Sequence, residues 1–173
     1  NSQFDITQGA LLNLWHDARE NTQIPPSDEQ IQEALKHIDI NSIQIDGNTV
    51  RYLDSELSLD LGAIAKGYTA QLAKEALNKA GLSNGYINAG GNVVLLGEKE
   101  DGTNWKIGIQ SPDASDALVQ YSTKKATCLV TSGDYQRYFT YKNKKYSHII
   151  DPKTGYPANY VRSVTVITKD SGK

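Results

Sequence analysis

The sequence predicts an α+β protein, a mostly antiparallel sheet packed with helices. Two observations carry this. In the first part of the chain apolar residues recur at helical spacing, and beyond Gly85 short apolar or alternating runs follow one another between turn residues. A third is composition: among 173 residues 38% are apolar and 22% charged, with a mean hydropathy of -0.52, as in a globular chain. That length suits one domain over residues 1–173, which buries roughly two thirds of its unfolded surface. No window approaches the roughly 18 to 20 apolar residues that cross a bilayer. The start lacks a basic stretch leading into an apolar one, so any export signal is expected upstream.

The elements follow in order. Leu11, Leu14, Trp15 and Ala18 share one helical face after Thr7, which is the expected N-cap. Pro25 and Pro26 interrupt. Ser27 with Gln30 then forms a capping-box pattern ahead of Ile31, Ala34, Leu35 and Ile38, a second helix. Ile43 and Ile45 alternate against Val50 and Tyr52 across Asp46, Gly47 and Asn48, which reads as a hairpin. Leu57, Leu59 and Leu61 continue the period of two as a strand, and Ala73, Ala76, Leu77 and Ala80 mark a helix closed by Gly81. Strands are expected at 86–89, 93–96, 105–109, 118–121, 126–130, 135–141, 146–150 and 161–168.

Charge excludes one class of partner. A net charge of -2 offers no general field for nucleic acid or anionic lipid, though local phosphate binding stays open. The single cysteine, Cys128, cannot form an internal disulfide and reads as a buried strand residue.

Four polar clusters stand out. Asp60 to Tyr68, DLGAIAKGY, places a carboxylate, two glycines and a lysine at a strand-to-helix junction. Free amides at a helix start, the positive end of its dipole and Lys66 one turn in are a phosphate-binding combination. A capped helix with a solvated lysine accounts for the block equally well, and it is not a P-loop, because Gly67 and Tyr68 follow the lysine. Asn88 to Asn92 holds a Gly-Gly pair that serves a hairpin turn or a close approach to a ligand. The third cluster runs from Thr131 to Arg137. The fourth, His148 to Pro157, has the turn residues to fix His148 at a strand end, where it shuttles protons or is a structural imidazole. Ser132, His148 and an acid can be drawn as a triad, but the glycines of a nucleophile elbow are missing. His16 and His37 receive no role.

Together, FDIT with LLNLW (4–15), DLGAIAKGY (60–68), INAGGN (87–92), Trp105 with IGIQSP (107–112), TSGDYQRYF (131–139) and HIIDPKTGYPA (148–158) resemble the ApbE-like family of FAD:protein FMN transferases. Six blocks in order are more specific than any one. The resemblance implies an enzyme that uses FAD and Mg2+, transfers FMN to a Ser or Thr hydroxyl of a flavin-acceptor protein, and releases AMP. It places FAD contacts on Asp60 and Lys66, less directly on Phe4 and Asp5, and beside the cofactor His148 and Ile149. The main-chain carbonyl of Ala63 falls where the family has a magnesium ligand, and His148 is the implied catalytic base.

By the same resemblance the protein works outside the cytoplasm, anchored to the membrane, and the chain is a core without the family's two termini. Gln71 stands where the family often has aspartate. FAD hydrolysis to FMN and AMP, and a non-catalytic flavin-binding module, are the alternatives.

Overall fold

A computed structural model describes residues 4–173. In chain order its elements are α1 (Gly9–Asp17), α2 (Asp28–Leu35), β1 (Ile43–Asp46), β2 (Thr49–Tyr52), α3 (Gly62–Lys79), β3 (Tyr86–Asn88), β4 (Asn92–Leu95), β5 (Trp105–Gln110), β6 (Ala117–Thr123), β7 (Cys128–Gly133), β8 (Tyr138–Tyr141), β9 (Lys144–Ser147) and β10 (Ser163–Thr168). They form two compact units, Asn1–Leu61 with Asp134–Tyr160, and Gly62–Gly133 with Val161–Lys173. Neither unit is a continuous stretch, so no linker composition marks a boundary.

In the first unit α1 and α2 pack with β8 and β9 around Leu11, Trp15, Ala18, Ile31, Ala34, Phe139 and Ile150. Each large apolar side chain buried here contributes roughly 1.5–3 kcal/mol. Trp15 is the centre: it stacks on Tyr146 at 5.7 Å and donates its indole N–H to the Gly155 carbonyl at 2.8 Å. The α2 capping box forms as expected, with Gln30 N–H donating to Ser27 Oγ and Ser27 N–H donating to Gln30 Oε1. The expected hairpin is present, pairing Ile43 with Tyr52 and Asp46 with Thr49.

Two expectations in this unit fail. Thr7 does not cap α1. Gln8 holds that position without a side-chain cap bond, and the Thr7 hydroxyl donates to Asp5 Oδ1 at 2.7 Å instead, because that carboxylate already folds back over the Thr7 amide. Leu57 to Leu61 is not a strand either. Only Gln8 and Ser58 form a parallel bridge, with Gly9 N–H donating to the Ser58 carbonyl, since the few residues before α1 offer too short a partner for a ladder.

The second unit is built on a four-stranded antiparallel sheet, ordered β10-β7-β4-β3, with β5 and β6 as a separate hairpin. Cys128 is fully buried in β7, as the sequence suggests, and burial pushes its thiol pKa up. The helix after Leu61 starts earlier than its apolar spacing indicates, at Gly62, and turns Ala70 and Lys74 inward rather than Ala76 and Ala80. Lys74 lays its aliphatic stem in the interior and points its ammonium toward the Lys169 carbonyl at 3.5 Å. An amphipathic lysine reads as surface in a hydropathy pattern, which hides this face.

Beyond Gly85 every expected strand is present, although β8 begins three residues later than its apolar run and β9 ends at Ser147 rather than residue 150. Lys142 and Asn143 form the tight turn between them, both with positive φ.

Candidate functional site

The helix start expected near residue 62 is present in the second unit, without the strand expected to lead into it. α3 opens at Gly62 with no acidic residue in its first turn, so no carboxylate of that turn offsets the positive end of the helix dipole. The amides that open a helix have no carbonyl of their own helix to bond. Lys66 lies one turn in, exposed.

The Gly-Gly pair is a hairpin tip, the first of the two uses its sequence allows: Ala89 N–H donates to the Asn92 carbonyl at 2.9 Å, and Gly90 and Gly91 have φ of 60° and 95°. That tip also reaches Lys66. A Cβ on Gly90 would lie 3.8 Å from Lys66 Nζ, ordinary contact distance, so the tip and the ammonium are neighbours. Two clusters that looked separate in the sequence therefore meet.

Gly67 permits a second close approach. Any Cβ there would run into the Ser171 carbonyl, and Ser171 Oγ donates to the Gly67 carbonyl at 2.8 Å. Beside it lies Asn92, which the sequence places in the second cluster and in the INAGGN block without giving it a role of its own. Asn92 is 3% exposed, and neither side-chain polar atom has a hydrogen-bond partner among the described residues. A buried amide left this way costs about 1–3 kcal/mol, more than packing at a turn would demand. Its one sequence signal was an asparagine opening an apolar run. Gln71, one turn further along α3, likewise has an unpartnered Oε1 while its amide donates to Glu75.

The remaining candidates lie in the first unit. Asp60 N–H donates to the Ile6 carbonyl at 2.8 Å, which together with the Gln8–Ser58 bridge brings Phe4, Asp5 and Asp60 onto adjoining stretches. Phe4 is exposed and Asp60 half-buried. Asp5 spends one carboxylate oxygen on Thr7. His148 and Ile149 follow β9, and the loop after them is pinned by Ala158 N–H donating to the Ile149 carbonyl at 2.8 Å and by Gly155 N–H donating to Asp151 O.

The His148 ring is half-buried, its Nδ1 3.3 Å from the Arg137 carbonyl. A carbonyl only accepts, so this contact is a hydrogen bond in the tautomer that carries the proton on Nδ1. Ala63 and Lys66 belong to the second unit and the other five candidates to the first.

The residues present do not by themselves fit a magnesium ion. Among the described residues no three His, Cys, Asp or Glu side chains come close enough to hold a metal. The Ala63 carbonyl sits in the first turn of α3, where helical bonding already engages it. It is one oxygen where magnesium seeks about six.

The model of the ApbE family matches residues 1–173. Named relatives include the FAD:protein FMN transferases of Vibrio cholerae, 38% identical over 95% of this chain and 50% of its own length, and of Klebsiella pneumoniae, 37% identical over 98% and 53%. Among solved structures, the ApbE protein of Thermotoga maritima superimposes with a TM-score of 0.87 at 39% identity, covering 98% of this chain and 55% of that one. The flavin transferase ApbE of Vibrio cholerae gives 0.79 at 36% identity, over 98% and 55%. The chain thus spans about half the length of the curated relatives that it matches.

Proposed function

The chain belongs to the ApbE family, and from that premise we propose that it forms the core of an enzyme that transfers FMN from FAD to a serine or threonine hydroxyl of an acceptor protein. The observation that carries this reading is the first turn of α3, where the exposed Lys66 lies beside the Gly90 tip at a helix start that has no acidic residue, a combination that favours a phosphate. The names of the relatives support the flavin part.

In the reaction the acceptor oxygen attacks the phosphorus of the FMN half. The phosphoanhydride bond breaks, AMP departs with the bonding electrons, and the hydroxyl proton passes to a base. Lys66 neutralises charge on the departing phosphate, which is the dominant need in phosphoryl transfer. His148 is assigned the proton, and its Nδ1 contact with the Arg137 carbonyl supports this by orienting the ring. Phe4, Asp5, Asp60 and Ile149 are assigned to the flavin nucleotide. Magnesium, with the Ala63 carbonyl as one ligand, comes from the resemblance alone; the described residues do not fit it. An extracytoplasmic, membrane-anchored place of action also comes from the resemblance. No described helix is long and apolar enough to cross a membrane.

The test incubates full-length protein with FAD, magnesium and a threonine-bearing acceptor. Covalent flavin on the acceptor with AMP released supports transfer. FMN and AMP with an unlabelled acceptor means that water is the acceptor, and unchanged FAD overturns enzymatic function. His148→Ala is expected to keep FAD binding and to slow transfer by about 10²–10⁴-fold, the usual contribution of a general base. Wild-type turnover in that variant removes His148 from the role.

A further inference from the structure

The first two turns of α3 carry Lys66 but gain little from packing. Of residues 62–69 only Gly67 is not exposed, and the buried positions of the helix begin at Ala70. A helix start of this kind frays unless something outside the helix ties it down.

Gly67 supplies the tie. Ser171 Oγ donates to its carbonyl at 2.8 Å, and the Ser171 carbonyl fills the place that a Cβ on residue 67 would take. Glycine inside a helix is less favourable than alanine, and Gly67 has no positive φ to call for it. What the glycine permits is this contact. It sits one residue from Lys66, whose ammonium neighbours the Gly90 tip.

The segment that delivers Ser171 is itself folded. It leaves β10 at Thr168, whose hydroxyl donates to the Asp170 carbonyl at 3.3 Å, and Gly172 N–H donates to Asp170 Oδ1 at 2.8 Å, an Asx turn with Ser171 at its centre. β10 is paired along its whole length with β7, so Ser171 joins the start of α3 to the central sheet. All of these residues belong to the second unit.

We propose that Ser171 is a positioning residue: by its hydrogen bond to Gly67 it holds the start of α3 so that Lys66 meets the phosphates of FAD. The proposal rests on the pyrophosphate reading of that helix start and deepens it. Ser171 is assigned no contact with the reacting atoms and acts through the backbone beside Lys66.

The test is a double-mutant cycle on the FAD dissociation constant of full-length protein, measured by calorimetry at fixed ionic strength. Ser171→Ala is expected to raise the constant roughly 3- to 10-fold, the loss of one neutral hydrogen bond. With Lys66 already replaced by alanine, the same change should matter by less than about 1.5-fold, because the lysine that it positions is gone. Ser171→Thr keeps a hydroxyl and should stay within about twofold of the unaltered protein. The Gly67 carbonyl keeps its helical bond in every variant, so the fold is retained.

A merely structural serine would weaken binding equally with and without Lys66, and that result overturns the proposal. So does binding as weak in Ser171→Thr as in Ser171→Ala. A weakened Lys66→Ala beside an unchanged Ser171→Ala overturns the positioning role alone. No FAD binding by the unaltered protein, or an unchanged constant in Lys66→Ala, overturns the pyrophosphate reading and the positioning role with it.

Discussion

Gly155→Ala probes how the histidine loop is seated. Gly155 has φ of 76°, and a Cβ there would overlap the Ile31 Cγ2 methyl and lie 3.2 Å from Leu35 Cδ1. Ile31 is fully buried, so it has no room to yield. Left-handed strain adds about 1–2 kcal/mol and overpacking about 1–3, offset by about 0.4–1 from the stiffer unfolded chain, a net loss of about 1–5 kcal/mol. With a urea slope of about 1–3 kcal/mol/M, the midpoint should fall by on the order of 1–2 M.

The control is Gly47→Ala, which shares a positive φ of 55° but has nothing within 4 Å of the added methyl, so only the strain remains. Trp15 fluorescence in a Trp105→Phe background reports on the correct unit, because the Trp15 indole bonds the Gly155 carbonyl directly. Equal midpoint shifts in the two variants would refute the seating of this loop on α2.

Two further outcomes test the first unit. Ser27→Ala should cost about 1 kcal/mol, read as a shift in the same urea midpoint, since it removes one half of the reciprocal cap on α2; no shift would mean that the cap is idle in solution. His37 is held above the usual histidine range chiefly by its 2.7 Å bond to Asp54, with Glu33 and Glu56 adding to the effect, and the same bond holds the Asp54 carboxyl below its usual range. A raised folded-state value stabilises fully below about pH 6.5, the unfolded value, and that stability fades as pH climbs through the folded one. The advantage over His37→Gln should therefore shrink from pH 6 to 9, and shrink again in acid as Asp54 protonates. A constant difference across that range would contradict the pairing.

Local chemistry made much of this molecule legible. The Ser27 and Gln30 box, the Asp46 to Asn48 turn and the strands after Gly85 each depend on residues within a few positions, and each is present. Failures came where a distant or competing partner decided. Thr7 was taken by Asp5, the Leu57 to Leu61 period found only the short 6–9 stretch to pair with, and Lys74 turned inward beneath its own stem.

The candidate site divides in the same way. The α3 junction was visible because the dipole, the glycine and the lysine lie within one turn. Its meeting with the Gly90 tip was not, since it depends on how α3 sits on β4, and the orphaned Asn92 amide became evident only with burial. The residues before Gly62 and those from His148 onward were linked to the junction by family likeness rather than by spacing.

The central claim is that the first turn of α3 and Lys66 receive the FAD pyrophosphate. Its most direct measurement is the FAD dissociation constant of full-length protein against that of Lys66→Ala, by calorimetry at fixed ionic strength. Lys66 is exposed, so solvent limits its contact to about 1–2 kcal/mol. The account predicts a constant roughly 5- to 30-fold larger in the variant, and an unchanged constant would contradict it.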